Sequence, residues 1–431
     1  MKETKETKVL VISHNAFSLT NNMGKTLYSL FGMFNKGNIA QLYFHVLNPD
    51  VDICKTLFRI TDSDVLHSII HPNECGGVIN INKKNTNSTT HIESKVYRYG
   101  QKRTAVKHLL RDLLWELGNW ESKDLIKWLD DYKPDVIFFA SGYSMFSINI
   151  AMFVADKYNI PLVTYFCDDY FDFKYSSHRY SLVSTIRMNL FSKKIKDIVN
   201  KSKELVFISE SMMNKYNDLF HKTGHVIMTP CSICQSERKP VTNHFVMSFV
   251  GSVLSNRWRT LLKIGESLER INSQGLKFIL NIYSVANDED IISRLSVGDS
   301  MIFKGSADSE KVKNIYRESD ILLHVESFLQ EDVSRVRHSV STKIADCLAS
   351  NRAFLAVGPR GIASIDYLEE NDVAYVIDDE NTIEDKLIEY FIENSIDEQI
   401  IKNAKDLAEK NHNIKVNSGR LKTILENIDK G

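Results

Sequence analysis

The sequence predicts an α/β protein built from two Rossmann-like parallel-sheet domains. Short, almost continuously apolar segments alternate with longer amphipathic ones, and this alternation runs through the chain twice. Strands buried on both faces read as unbroken apolar runs, which marks a parallel sheet covered by helices on each side. The length of 431 residues exceeds what one hydrophobic core normally organises, and two domains of roughly 200 residues each account for it. With 18 glycines and 7 prolines the chain has no long flexible linker, so both sets of elements belong to packed structure.

The first set of strands is expected at residues 8–15, 39–46, 135–142, 161–168, 204–210 and 226–230, each a short run rich in Val, Ile, Leu or Phe. Between them, residues 105–131, 144–158 and 180–201 place apolar side chains at helical spacing. Residues 48–99 show little periodicity and yield no element. The second set is expected at 245–253, 277–285, 301–305, 320–327, 353–358 and 373–377, and residues 382–411 and 416–429 are helical in pattern. Residues 85–90 and 298–300 read as surface loops. The segment ICQSERKPVTN at 233–243 breaks the apolar rhythm with charge and proline. It separates domains at 1–235 and 236–412, and 413–431 form a final helix.

Composition narrows the functional classes. A net charge of -1 argues against nucleic acid as a partner. No run of about 18 apolar residues occurs, so no transmembrane helix is expected. The start MKETKETKVLVISHN passes directly from a charged tail into a strand, without the pattern of a signal peptide. Six scattered cysteines, Cys54, Cys75, Cys167, Cys231, Cys234 and Cys347, suit a reducing cytoplasm.

In open α/β sheets, ligands bind outside the carboxyl ends of the strands, so the residues after each strand are the candidates. From Ser341 to Pro359, STKIADCLASNRAFLAVGP reads as a helix start, a short helix and a buried strand ending in Gly358-Pro359. Lys343 and Asp346, three apart, share a helix face beside N-terminal amides. That combination can hold a diphosphate and ribose hydroxyls; a solvated ion pair is the plainer alternative. Glu326 closes the strand DILLHVES, either facing a ligand or simply ending the strand. Gly251-Ser252 follows a buried strand and permits close backbone approach. Arg257 and Arg259 at the next helix start suit bidentate phosphate binding or an ordinary helix surface.

Four further features carry less. The run Asn21-Asn22-Met23-Gly24-Lys25 lacks both the dinucleotide and the P-loop glycine spacing and reads as a strand-to-helix turn. Asp168-Asp169, after LVTYF, suits an acceptor-orienting pair or base, chiefly Asp169, or a helix cap. Cys231-x-x-Cys234, with His221 and His225 upstream, fits no standard zinc spacing, and no metal is expected. From Arg187 to Lys203 there are six basic residues against one Asp on an amphipathic pattern. This suits contact with an anionic membrane surface or a solvated helix face.

Together these residues resemble the nucleotide-binding half of GT-B glycosyltransferases, particularly the retaining, family 4-like group. The resemblance centres on residues 250–252, 320–327 and 341–361. Many members carry Pro-Ser-Lys-Ile-x-Glu-Tyr-Leu-Ala-Ser-Gly-Lys-Pro where this chain runs from Ser341 to Ala353, so Lys343 matches the family lysine and Asp346 its ribose-binding Glu. Glu326 looks like the earlier acidic residue that approaches the donor sugar. Arg257 resembles the basic residue that meets the diphosphate, and Gly251, Ser252, Ser341 and Thr342 complete the donor contacts. The chain departs from the pattern with Asp346 for Glu, Asn351 for Gly and Ala353 for Pro. An insert at 329–338, containing Arg335, Arg337 and His338, stretches the Glu-x7-Glu spacing, reaching the donor or forming a lid. The first half matches only in architecture and in the position of Asp168-Asp169.

The resemblance implies two domains facing a cleft, with the last helix crossing back onto the N-terminal domain. It implies metal-independent sugar transfer, with retention, from a nucleotide-diphosphate sugar. This donor, a UDP- or GDP-sugar, is a substrate, and no cofactor is bound permanently. Lys343, Glu326 and Asp169 would form the catalytic set, Lys343 and Arg257 stabilising negative charge on the leaving diphosphate. The acceptor would be a hydroxyl of a glycan, glycolipid or protein in bacterial surface polysaccharide synthesis. The expected location is cytoplasmic or peripheral at the inner membrane face. Two other classes fit the same scaffold: a catalytically inactive partner subunit, and a nucleotide-sugar epimerase with acid–base groups at the sugar.

Overall fold

The computed structural model describes residues 6–19, 22–80, 105–169, 182–232, 237–238, 243–286 and 288–428. The chain divides into two compact units. Among the described residues, the first holds everything up to Ile227 together with the stretch from Ser418 onward, and the second runs from Met228 to Asn417.

The first unit is built on an eight-stranded sheet, ordered β4-β3-β2-β1-β5-β6-β7-β8. Its strands are β1 (Val9–Ser13), β2 (Ile39–Tyr43), β3 (Thr56–Arg59), β4 (Gly77–Val78), β5 (Val136–Ala140), β6 (Leu162–Phe166), β7 (Glu204–Phe207) and β8 (His225–Val226). All pairings are parallel except β3 with β4. Every residue of β1, β2, β5 and β6 is buried, as expected of strands covered on both faces. The buried polar residues among them include Gln41. Its amide oxygen accepts from Phe17 N (3.1 Å) and its nitrogen donates to Ser13 Oγ (2.9 Å) and Asn15 O (3.1 Å). The buried amide thus satisfies the turn leaving β1.

The helices of this unit are α1 (Asn22–Phe31), α2 (Asp62–Ser68), α3 (Ala105–Leu117), α4 (Lys123–Tyr132), α5 (Met145–Tyr158), α6 (Leu182–Lys201) and α7 (Glu210–Phe220). Several expectations need correction. Residues 48–99 are not featureless: they contain β3, α2 and β4. A capping box, in which Thr61 and Asp64 bond each other's backbone N–H, starts α2. The amphipathic stretch 105–131 is two helices, separated where Gly118 lies so close to Val65 that a Cβ there would be 2.2 Å from Val65 Cγ1. Ser122 then caps α4. Of residues 226–230 only Val226 is in a strand, the two-residue β8. The loop expected at 85–90 lies outside the described residues.

The second unit has a fully parallel six-stranded sheet, ordered β11-β10-β9-β12-β13-β14. The strands are β9 (Phe245–Val250), β10 (Phe278–Tyr283), β11 (Met301–Gly305), β12 (Ile321–Val325), β13 (Ala353–Val357) and β14 (Tyr375–Ile377). Its helices are α8 (Arg257–Asn272), α9 (Glu289–Arg294), α10 (Ser309–Glu318), α11 (Gln330–Val336), α12 (Thr342–Leu348), α13 (Ala363–Glu370), α14 (Ile383–Ile388) and α15 (Glu398–Asn411). Residues 382–411 are therefore not one helix: α14 ends in a π-turn at Glu389–Glu393, and Asp397 caps a new start. In the loop 298–300, Ser300 is buried, donating to Glu269 Oε2 and accepting from Asn272 Nδ2. The last helix, α16 (Ile414–Asn427), leads Leu421, Leu425 and Ile428 into the apolar cluster of Val9, Val11, Phe31 and Val136. The C-terminal stretch therefore completes the core of the first unit.

Candidate functional site

The carboxyl ends of β9 and β12 and the start of α12 enclose a pocket in the second unit. Order at the central strands explains why it lies there: β9 and β12 are neighbours although five elements of sheet and helix separate them in sequence, so their following loops diverge and leave a gap. Its wall includes Gly251, Ser252, Arg257, Ser341 and Lys343 from the sequence reading. Glu326, Thr342 and Asp346 are not on that wall.

Gly251 is required by a close approach. A Cβ built on it would lie 2.8 Å from the Phe249 ring and 3.3 Å from Lys343 Nζ, so the lysine head rests against the turn after β9. Burial lowers the pKa of this ammonium, and the Arg257 charge adds to that, against weaker opposing effects of Cys347, Asp346 and Glu326. Two cations on one wall, one of them poorly solvated, make the pocket receptive to an anion. The hydroxyl of Ser341 makes no capping bond to α12.

Glu326 follows β12, and its carboxylate is almost fully buried behind the pocket. Arg257 holds its Oε2 through Nε (2.9 Å) and Nη2 (2.7 Å). His324 Nε2 lies 3.2 Å from Oε1, but its direction does not make a hydrogen bond. The backbone is fixed as well: Glu326 N donates to Val357 O (2.9 Å), and Thr260 Oγ1 donates to Glu326 O (3.0 Å). Gly358 is small because Glu326 is there; a Cβ on it would meet Glu326 Cβ at 2.9 Å. Burial raises the Glu326 carboxyl pKa, but His324 and Arg257 more than reverse this, so the group stays below its usual value and ionised. Sequence spacing gives no sign that Arg257 and Glu326 are partners.

Other contributors were also unreadable in the chain. The loop entering α8 has two successive left-handed residues, Ser255 (φ 53°) and Asn256 (φ 54°). Asn256 Nδ2 donates to the buried carboxylate of Asp332 at 2.8 Å. Asp332 belongs to α11, so the insert at 329–338 is a helix tied to the residue before Arg257. Tyr316 and Cys347 form the inner wall of the pocket, and burial raises the Cys347 thiol to about 12.

The remaining candidates lie elsewhere. Asp169, after β6 in the first unit, is a buried ion pair with Lys215 of α7, Nζ to Oδ2 2.5 Å, while Asp168 is exposed. Gly24 packs α1 on the turn after β1, where a Cβ would be 2.4 Å from Ala16 O. Cys231 Sγ donates to Ala345 O at 3.2 Å, and Cys234 is outside the described residues. Arg187, counted above in a cationic face, is instead buried against Asp112, Nε to Oδ2 2.7 Å. Among the described residues no group of three or more His, Cys, Asp or Glu side chains is placed to hold a metal ion. No helix among them is long and apolar enough to cross a membrane.

Two Rossmann-like units with this topology have counterparts among solved structures. The chain is similar to Anabaena HepE, whose structure is a complex with UDP, at TM-score 0.61 and 11% identity, covering 97% of this chain and 99% of that one. The fold is GT-B. A glycosyltransferase from Rickettsia africae (TM-score 0.62, 13% identity, 99% and 100% covered) shares it. So does sucrose-phosphate synthase from Thermosynechococcus elongatus (TM-score 0.63, 10% identity, 98% and 99% covered). At these identities the likeness is one of fold. No family model and no curated protein sequence matches the chain.

Proposed function

We propose that the protein transfers a sugar from a nucleotide-diphosphate sugar to a hydroxyl acceptor. The observation that carries this is the convergence of Lys343 and Arg257 on one pocket at the carboxyl ends of β9 and β12. A GT-B neighbour that forms a complex with UDP-glucose, Anabaena HepE, favours a UDP-sugar over a GDP-sugar. In this reading Lys343 and Arg257 stand where charge develops on the departing diphosphate and lower the barrier by preorganised electrostatics. Gly251 and Ser252 line the phosphate path. Ser341 borders it at the start of α12, and Asp346, off the pocket wall, takes a ribose hydroxyl. Glu326 keeps Arg257 in place beside the donor. Transfer proceeds with retention, the acceptor hydroxyl attacking the face that the phosphate leaves. Asp169, paired with Lys215, orients an acceptor hydroxyl of a glycan, glycolipid or protein.

Calorimetric titration with UDP-, GDP-, ADP- and TDP-sugars tests the reading, alongside Lys343→Ala. One UDP-sugar should bind, and the variant should bind it about ten- to a hundredfold more weakly, the range expected for one charge-assisted bond. Absence of binding to all four would remove the donor site and leave a scaffold without transfer activity.

A further inference from the structure

Helix α3 packs Leu114 and Trp115 on the core and yet carries apolar side chains on its outward face as well. Two of its charged side chains face inward, Arg111 Nε lying 2.9 Å from Asp62 Oδ1 and Asp112 receiving Arg187 at 2.7 Å, while Glu116 is its one exposed acid. Trp115 donates to Asp62 and stacks on Phe146 at 3.7 Å. Its outward face is Val106, Leu110, Leu113 and Leu117, which are 53%, 59%, 51% and 67% exposed. The spacing i, i+4, i+7, i+11 makes a continuous apolar stripe along the helix. Neighbouring α6, joined to α3 through Arg187, adds exposed Leu182, Ile186 and Leu190 on its own outer face. One turn further along that face come Lys193 and Lys196, both exposed, with Lys194 beside them and Asp197 the single acid of the helix. A monomeric soluble surface rarely leaves such a run uncovered.

We propose that the outer faces of α3 and α6 dock on an anionic lipid bilayer. The chemistry of the patch selects this occupant. Its apolar members are all aliphatic, whereas protein interfaces concentrate aromatic residues and arginine and are depleted in lysine. Aliphatic residues beside lysines suit a helix lying at the boundary of acyl chains and acidic headgroups. The inference is independent of the sugar-transfer reading, since docking needs no donor.

The test is co-sedimentation of the full chain with vesicles of phosphatidylcholine alone or of equal parts phosphatidylcholine and phosphatidylglycerol. The protein should sediment with the anionic vesicles, remain free of the neutral ones, and detach as salt is raised. The double variant Leu110→Gln/Leu113→Gln should bind roughly tenfold or more weakly. Because both leucines are exposed its melting temperature should stay that of the wild type, and Lys193→Gln/Lys196→Gln provides a second variant that leaves the stripe intact but weakens anionic binding. No sedimentation with anionic vesicles, or equal sedimentation with both kinds, overturns the proposal. So does a dimer in analytical ultracentrifugation that the leucine variant disperses, since the stripe would then be a contact between copies of the chain.

Discussion

Replacing Glu326 by Gln probes the pairing that organises the pocket. Two nitrogens of Arg257 reach Glu326 Oε2, at 2.9 Å and 2.7 Å, and the two side chains are 21% and 4% exposed. Removing one partner of a buried ion pair costs about 3–5 kcal/mol. Gln keeps the shape and an acceptor, so what disappears is charge assistance, about 1–2 kcal/mol from the difference between charged and neutral hydrogen bonds. For a unit of this size that lowers Tm by about 2–8 °C. The pH dependence sharpens the test. The folded pKa of Glu326 lies below its usual value, the neighbouring His324 and Arg257 overcoming the upward push of burial. Its contribution is then complete above the unfolded pKa and lost as pH falls through the folded one. Scanning calorimetry across pH should find a constant gap between wild type and variant near neutrality, closing below about pH 4.3. Equal Tm values at neutral pH, or a gap unchanged in acid, would refute the reasoning.

Gly358→Ala should lower Tm through overpacking against Glu326 Cβ (2.9 Å) and Ile365 Cδ1 (3.1 Å), by about 1–3 kcal/mol. Gly142→Ala, where a Cβ meets nothing within 4 Å, is the control in the same melting experiment. His412 is buried, with Nδ1 against Thr229 O (2.8 Å) and Nε2 against the Tyr367 hydroxyl (3.1 Å). Burial depresses its pKa to about 4, so its contribution is whole above the unfolded value near 6.5 and lost as pH falls through about 4. Urea unfolding should show a loss of about 3 kcal/mol across that window, and His412→Gln should flatten it.

The legible parts of the fold were those with strong local signals. Strands such as VIFFA in β5 and LVTYF in β6 are apolar throughout because both faces are covered. Segments that depend on their neighbours were lost. Strand β3 is only TLFR, and the edge strand β4 two residues, so neither carries a period long enough to register. The break between α3 and α4 is one glycine in an amphipathic run, tolerable in a helix and decided here by contact with Val65.

At the pocket the sequence alone placed Gly251 and Arg257 after a strand, where parallel topology puts ligand-facing residues, and Ser341 and Lys343 at a helix start. That follows from chain order, because a strand and its following loop are contiguous. Which of these side chains meet was decided only by the tertiary structure. Arg257 and Glu326 lie 69 residues apart and come together because β9 and β12 pair as neighbours. The tie from Asp332 to Asn256 spans 76 residues, and the outward leucines of α3 were indistinguishable from core leucines until Asp62 and Arg187 claimed its polar face. Periodicity shows that a helix has two faces; what packs against it determines which of them is buried.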